Sequence, residues 1–310
     1  MQEENNNHFI KNIEIKNFKC FENFSAEGFG RVNLIGGKNN VGKTAFMEAC
    51  YLNTQKNTSY ALAGIVFNRY QTDFFSKLIN EVGVNYIFNF ISKEVKKFNT
   101  SQIISNLGTK KITYSEKEFF DNSFDESIEF LGTSKIENSN LDNWYAKIIE
   151  NKLENSIDES LQEFDSSLES FRMIKSDAKC SKKSDGKFYN LNEFGDGLAK
   201  FIALNCLFLS LNDSGIVFID EIENGIHYSN LDKIWEIILK ISKEQNVQVF
   251  ATTHSKECIE SYARVAKKLE DEEITFIKMT KLKNGEIVAG VRDYDMLQYT
   301  MSDGHEVRGV

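Results

Sequence analysis

The sequence predicts an α/β fold: a mixed or parallel core sheet flanked by helices, with a helical lobe inserted partway along the chain. Three segments predict it. Residues 37–44 read GKNNVGKT and sit between the apolar run Val32 to Ile35 and the helix-like AFMEACYL, giving strand, tight loop and helix start. Residues 215–223, GIVFIDEIE, are an unbroken apolar run ending in acids, and residues 247–255, VQVFATTHS, are another ending in a histidine. Such runs suit strands buried on both faces of a parallel sheet, where helices cover each side.

The spacing G-x-x-x-x-G-K-T in the first segment has a mechanical reading. Gly37 and Gly42 let the backbone curl so that successive N–H groups point inward at phosphate oxygens, and the helix beginning near Lys43 adds its positive dipole end. Lys43 is expected to reach the β and γ phosphates and Thr44 to place its hydroxyl on Mg²⁺. Asn39 and Asn40 are short polar residues that tolerate the unusual backbone angles of such a loop. With Ala45 at the helix start, they complete the expected nucleotide-binding set of this loop. The ligand class is a nucleoside triphosphate.

The second and third segments turn a nucleotide site into a hydrolysing one. Asp220 is placed to hold the water shell of Mg²⁺, and Glu221, projecting differently, to polarise the attacking water. His254 lies at a strand's carboxyl end, beside the sheet edge where open α/β folds bind ligands, and can contact the γ phosphate or the water.

The order of these parts, joined by a glycine pair in NEFGDGLAKFIALNCLFL and by DEIENGIH after the acidic strand, resembles the ABC-type ATPases of the SMC and RecF kind. Within them it is most similar to AAA-family ATPases of the "overcoming lysogenization defect" group and small ATPases of bacterial anti-phage systems. The amino-terminal IKNIEIKNFKCFENF is similar to that group's opening strand. The resemblance covers roughly residues 9–53 and 190–308. It implies ATP and Mg²⁺ as ligands, and a head domain made of residues 1–55 and 190–310 around an insertion at 56–189. It also implies that Gly195 and Gly197 form the signature loop that reaches across a dimer to the other subunit's nucleotide. Free N–H groups at the start of the long apolar helix there suit a phosphate. Transporter members carry a serine before the glycine pair; here Gly195 stands near that place and Asp196 brings a negative charge. Glu223 to His227 would be the loop coupling the two sites, although His227 reads equally as a surface residue.

Composition fits a cytoplasmic globular protein. A 310-residue chain with 41% apolar residues can bury a sizeable core. No stretch is long enough to span a membrane, and the start MQEENNNHF lacks signal-peptide shape. Five cysteines without CxxC spacing indicate neither a disulfide framework nor a zinc site. A net charge of −9 argues against a surface that grips DNA throughout. Nucleic-acid contact could still come from Arg172, Lys175, Lys179, Lys182, Lys183 and Lys187, a cluster that reads equally as a solvated face.

In the insertion, the clearest pattern runs from Leu141 to Phe171, where Ile157, Leu161, Phe164, Leu168 and Phe171 recur at helical spacing. A helix of that length spans about 45 Å, and packs on the insertion's own lobe or serves a partner. Residues 116–137 read as an acidic, polar loop. Gln55 and Gln71 are open alternatives for a glutamine that touches Mg²⁺. After His254, a helix over Lys256 to Leu269 and a hairpin of Ile274–Leu282 and Ile287–Val291 are expected. Only 56 residues follow His254, against roughly 100 for a separate domain, so no nuclease is expected within this chain.

Two functional readings follow. One is an ATP-hydrolysing switch, a homodimer or higher homo-oligomer sharing ATP sites, that acts in anti-phage defence with a separate effector such as a nuclease. The other is a nucleotide-gated scaffold with little turnover, or a RecF/SMC-like DNA-repair ATPase. Glu221 favours the first, because a pure binder has no need of a water-activating carboxylate.

Overall fold

The computed structural model of this chain describes residues 8–59, 61–62, 64–65, 93, 100–112, 127–132, 138–211 and 215–302. It opens with an antiparallel pair, β1 (Asn12–Phe18) and β2 (Phe21–Glu27), joined by a turn with Lys19 at φ 53°. β3 (Val32–Gly37) leads through the glycine loop into α1 (Lys43–Thr54). A hairpin of β4 (Gln102–Ser105) and β5 (Gly108–Lys111) follows, then β6 (Ile128–Leu131) and two helices, α2 (Asn138–Glu150) and α3 (Glu154–Phe164). β7 (Leu168–Ile174), β8 (Asp177–Lys182) and β9 (Phe188–Asn190) make a small antiparallel sheet that runs into α4 (Asp196–Ser210). The remaining elements are β10 (Gly215–Ile219), α5 (Leu231–Glu244), β11 (Val247–Thr252), α6 (Lys256–Leu269), β12 (Ile274–Lys281), β13 (Ile287–Arg292) and α7 (Tyr294–Ser302).

Among the described residues the central sheet has six strands in the order β13-β12-β3-β11-β10-β6, of which only the β12–β13 pair is antiparallel. The carboxyl ends of β3, β11 and β10 therefore lie side by side. Strand alternation divides the core. Ile216, Phe218, Phe250 and Ile277 face α1 and the β1–β2 side, while Val217, Ile219, Val249 and Phe276 face α4, α5 and α6. Three layers result, with the polar strand ends left at the rim.

The described residues between 56 and 189 hold strands as well as the expected helices. β6 joins the edge of the central sheet beside β10, and β4 pairs with β1, so described parts of this segment complete sheets begun elsewhere. β6 also falls within residues 116–137, expected to be a loop; its four residues IEFL find a parallel partner that local sequence does not reveal. The expected helix from Leu141 to Phe171 is two helices and a strand. Lys152 takes φ 58° after α2, and Asp165 Oδ1 accepts from Ser167 N at 2.9 Å, a side-chain turn that ends α3. Ile157 and Leu161 do face the core from α3, but Leu168 and Phe171 do so from β7. The basic cluster lies in and around the small sheet, where Arg172 pairs with Asp158 at 2.8 Å and Lys182 stands over the rings of Tyr189 and Phe194. Among the described residues, no helix is long and apolar enough to cross a membrane.

Candidate active site

The loop after β3 is shaped by conformation and by crowding. Asn40 has φ 60° and Gly42 has φ 88°, both in the left-handed region, and a Cβ on Gly42 would come 2.8 Å from Cys20 Sγ. A Cβ on Gly37 would come 2.5 Å from the Met279 carbonyl oxygen. Bare backbone is needed at both glycines. Asn39 and Asn40 are exposed at the loop's tip, and Ala45 is buried in the first turn of α1.

Lys43 folds back over this loop. Its Nζ donates to the carbonyls of Gly37 and Lys38, each at 2.9 Å, and lies 3.1 Å from His254 Nδ1. Burial pushes the ammonium below its ordinary pKa, while Glu223, Asp220 and Glu221 push it back up. The cation sits in a pocket of carboxylates, and the neighbouring hydroxyls fix one of them. Thr44 Oγ1 donates to Asp220 at 3.2 Å and Thr252 Oγ1 at 2.5 Å. Burial raises the Asp220 carboxyl above its usual range, and these two hydroxyls oppose the rise.

Glu221 follows at φ 48°, a conformation rare for a residue with a side chain. Its backbone N–H donates to Thr252 Oγ1 at 2.8 Å, its Oε1 lies 3.3 Å from His254 Nε2, and its Oε2 accepts from Asn224 Nδ2 at 2.6 Å. Glu221 and His254 are each about one-third exposed, at 34% and 37% of their side chains. Both therefore reach solvent while Asp220 does not.

Gly195 and Gly197 stand at the start of α4. Gly195 has φ 89° and ψ 163°, a region open essentially to glycine alone, and an added Cβ there would meet nothing within 4 Å. Conformation alone demands that glycine. Gly197 packs beside Asn230 and the Gly225 carbonyl, and a cleft of about 600 Å³ opens next to it, walled in part by Phe164, Phe194, Gly225, His227 and Lys233. His227 is exposed there, bonded through Nδ1 to Ser229.

The structure thus brings Lys43, Thr44, Asp220, Glu221 and His254 into one contact network, with Gly195 and Gly197 on a neighbouring turn. Three further residues join it. Thr252 orients Asp220 and Glu221 together. Glu223 Oε1 accepts from the backbone N–H of His254 at 2.6 Å and of Ser255 at 3.1 Å, fixing the turn that presents the histidine. Lys200 reaches the Glu221 turn from α4. The sequence held one signal for it: apart from Asp196, it is the sole charged residue in the helix DGLAKFIALNCLFLS. Gln55 lies past the far end of α1, whose 12 residues span about 18 Å, so it is out of reach of Thr44. Gln71 lies outside the described residues.

This arrangement of a phosphate-loop strand beside an acidic strand has known relatives. The solved SMC head bound to the C-winged helix domain of ScpA aligns with 93% of this chain and 99% of its own at 12% identity and a TM-score of 0.54. An SMC head with an extended coiled coil, bound to the C-terminal domain of ScpA derived from Pyrococcus furiosus, aligns with 95% of this chain and 99% of its own at 10% identity and a TM-score of 0.51. At these identities the likeness shows the fold, a P-loop ATPase head. A protein of Helicobacter pylori (strain ATCC 700392 / 26695) named "ATP/GTP phosphatase" is 25% identical over 344 aligned residues, 88% of this chain and 91% of that one. A family described as "AAA domain, putative AbiEii toxin, Type IV TA system" matches residues 32–260, which run from the first residue of β3 into α6 and hold the whole contact network. That match covers most of the chain, which therefore belongs to this family and is an AAA-type ATPase with the fold of SMC heads.

Proposed function

We propose that this ATPase works with Mg²⁺ as a homodimer or higher homo-oligomer, each ATP lying between the phosphate loop of one subunit and the Gly195–Gly197 loop of the next. The observation that carries the reading is the meeting of two pairs at adjoining strand ends: Thr44 with Asp220 at 3.2 Å, and Glu221 with His254 at 3.3 Å. The first pair would hold Mg²⁺, Thr44 through its hydroxyl and Asp220 through the ion's water shell, and their meeting at 3.2 Å fits this division. Among the described residues no group of three or more His, Cys, Asp or Glu could hold a metal. When bound, the ion neutralises charge on the β and γ phosphates.

The chain's own residues divide the remaining work. The loop N–H groups and the N-terminus of α1 cradle the phosphates, and Lys43 exchanges its loop carbonyls for phosphate oxygens. Glu221 accepts a hydrogen bond from a water and aims it at the γ phosphorus, taking the water's proton as the bond to the bridging oxygen breaks and ADP leaves. His254, bonded on one side near Lys43 and on the other near Glu221, spans phosphate and water. The left-handed backbone at Glu221 is the kind of local cost that persists at functional positions. In the cell, the proposal is a cytoplasmic regulatory ATPase of bacterial anti-phage defence whose state is read by a separate effector such as a nuclease. The resemblance to anti-phage ATPases supports that role, and the name of the Helicobacter relative supports turnover of a nucleoside triphosphate.

ATP turnover and oligomer size, measured for the native chain, Lys43→Ala and Glu221→Gln, test the proposal. Lys43→Ala is expected to lose nucleotide binding and ATP-dependent assembly. Glu221→Gln is expected to keep both while turnover falls at least about 100-fold, the scale of a lost general base. Native-like hydrolysis by Glu221→Gln would remove its assigned role, and assembly without hydrolysis in every form would leave the scaffold reading in place.

A further inference from the structure

We infer that Lys200, in the second turn of α4, is a positioning residue: it holds the Glu221 turn in its left-handed conformation and couples that turn to the Gly195–Gly197 loop of the same subunit. The inference rests on the role given to Glu221 above. Its basis is a pair of contacts. Lys200 Nζ donates to the Glu221 carbonyl at 3.3 Å and to the Asn224 carbonyl at 2.9 Å, the first and last residues of one tight turn. That turn also carries its own bond, Asn224 N–H to the Glu221 carbonyl at 2.9 Å. The Glu221 carbonyl is thus held by two donors, at the one position of the turn, φ 48°, where a side-chain-bearing backbone needs outside support.

The other end of the same helix turn meets the other end of the same loop. A Cβ on Gly225 would lie 3.4 Å from Asp196 Cβ, and one on Gly197 would lie 3.8 Å from the Gly225 carbonyl. α4 therefore grips residues 221–225 twice, by packing at Asp196–Gly197 and by hydrogen bonds from Lys200. A helix is stiff over so short a span, so a displacement of the Gly195–Gly197 loop is transmitted to Glu221 rather than absorbed. The choice of residue agrees. A helix as apolar as DGLAKFIALNCLFLS gains nothing from a lysine for its own burial, and a long stem with a three-donor tip is what two separated carbonyls require.

The test compares native protein, Lys200→Met, Lys200→Arg and Glu221→Gln. Lys200→Met keeps the apolar stem and removes the donors. Its turnover at saturating ATP is expected to fall about 10- to 100-fold, the scale of a misplacement near 1 Å, while nucleotide affinity stays within about threefold because the phosphate loop is untouched. Deuterium exchange at the amides of residues 222–226 is expected to speed up in the same variant. Lys200→Arg, which restores the charge and donors, is expected to recover part of both. Turnover within about twofold of native, unchanged exchange, or a joint loss of affinity and folding in both Lys200 variants would overturn the inference. Glu221→Gln separates the two claims. If it hydrolyses ATP like the native chain, the role of Glu221 fails and the exchange measurement still judges the turn. If it is inactive while Lys200→Met is native-like, the failure belongs to Lys200 alone.

Discussion

Arg31, just before β3, and Lys43, just past its other end, are both buried cations, 3% and 5% exposed, yet their surroundings differ in kind. Arg31 is saturated: Nε donates to Glu273 at 3.1 Å, Nη1 to the Leu239 carbonyl at 3.2 Å and to Ser242, and Nη2 to Asp271. Its neighbours are saturated as well. Gln248 bonds Ile10 in both directions at 2.8 Å, and the Tyr262 hydroxyl donates to the Val32 carbonyl at 2.8 Å. At the opposite end, Lys43 is held by loop carbonyls beside three carboxylates, Glu223 Oε2 is buried with no hydrogen-bond partner among the described residues, and Glu221 sits at a costly φ. The same residue types make a clamp where every group is paired, and a site where some are left short. Polar burial alone identifies neither end; the accounting of partners does.

Removing one clamp partner gives the largest effect and the sharpest contrast. Arg31→Met leaves Asp271 buried at 3% exposure without its cation, and breaking such a pair costs about 3–5 kcal/mol. Chemical denaturation is expected to show that loss, while turnover per folded molecule stays near native. The opposite pattern, a small stability change with a large loss of turnover, is expected of Glu221→Gln. If Arg31→Met lowers turnover per folded molecule as strongly as Glu221→Gln does, the two ends are not separable and the comparison breaks.

A smaller change probes the same clamp without touching a charge. Tyr262→Phe removes a hydroxyl that donates to Val32 and accepts from Thr275 N–H at 3.2 Å, in a fully buried position. The lost bond and the orphaned groups should cost about 1–3 kcal/mol, read as a lower denaturation midpoint at unchanged nucleotide affinity. A loss of affinity instead would mean that strain passes along β3 from one end to the other.

The sequence disclosed these two ends unequally. β3, β10 and β11 were legible because each is an apolar run with polar residues at its carboxyl end, and the α6 boundaries and the β12–β13 hairpin follow from equally local patterns. The clamp was not legible, since Arg31 meets Asp271, and Gln248 meets Gly30 and Ile10, only after the strands are ordered in the sheet. The same reason hid Lys200, whose acceptors lie more than twenty positions away. The misread helix between 141 and 171 has a different cause. Leu168 and Phe171 continue the helical spacing of Ile157 and Leu161 by coincidence, and the turn at Asp165, a single side chain capping its own backbone, outweighs that periodicity.

Lys200 offers the finest test of the contrast, because it is a cation at the active end whose charge is disfavoured by its surroundings. Burial pushes its ammonium down to about 8, against the opposing influence of Glu223, Cys258 and Glu221. Cys258 stays a neutral thiol in this range, its own pKa pushed up to about 12 by burial, so the two carboxylates are the charges that face Lys200. In the unfolded chain a lysine holds its proton to about pH 10.4. Between about pH 8 and that limit the unfolded chain binds more protons here than the folded one, and stability from this residue rises with pH. The difference in melting temperature between native protein and Lys200→Met, which cancels other groups titrating in that window, should therefore shift by a few degrees in favour of the native chain from pH 7.5 to pH 10. A flat difference for Lys200→Met would place Lys200 with Arg31, as a cation fully compensated by its partners.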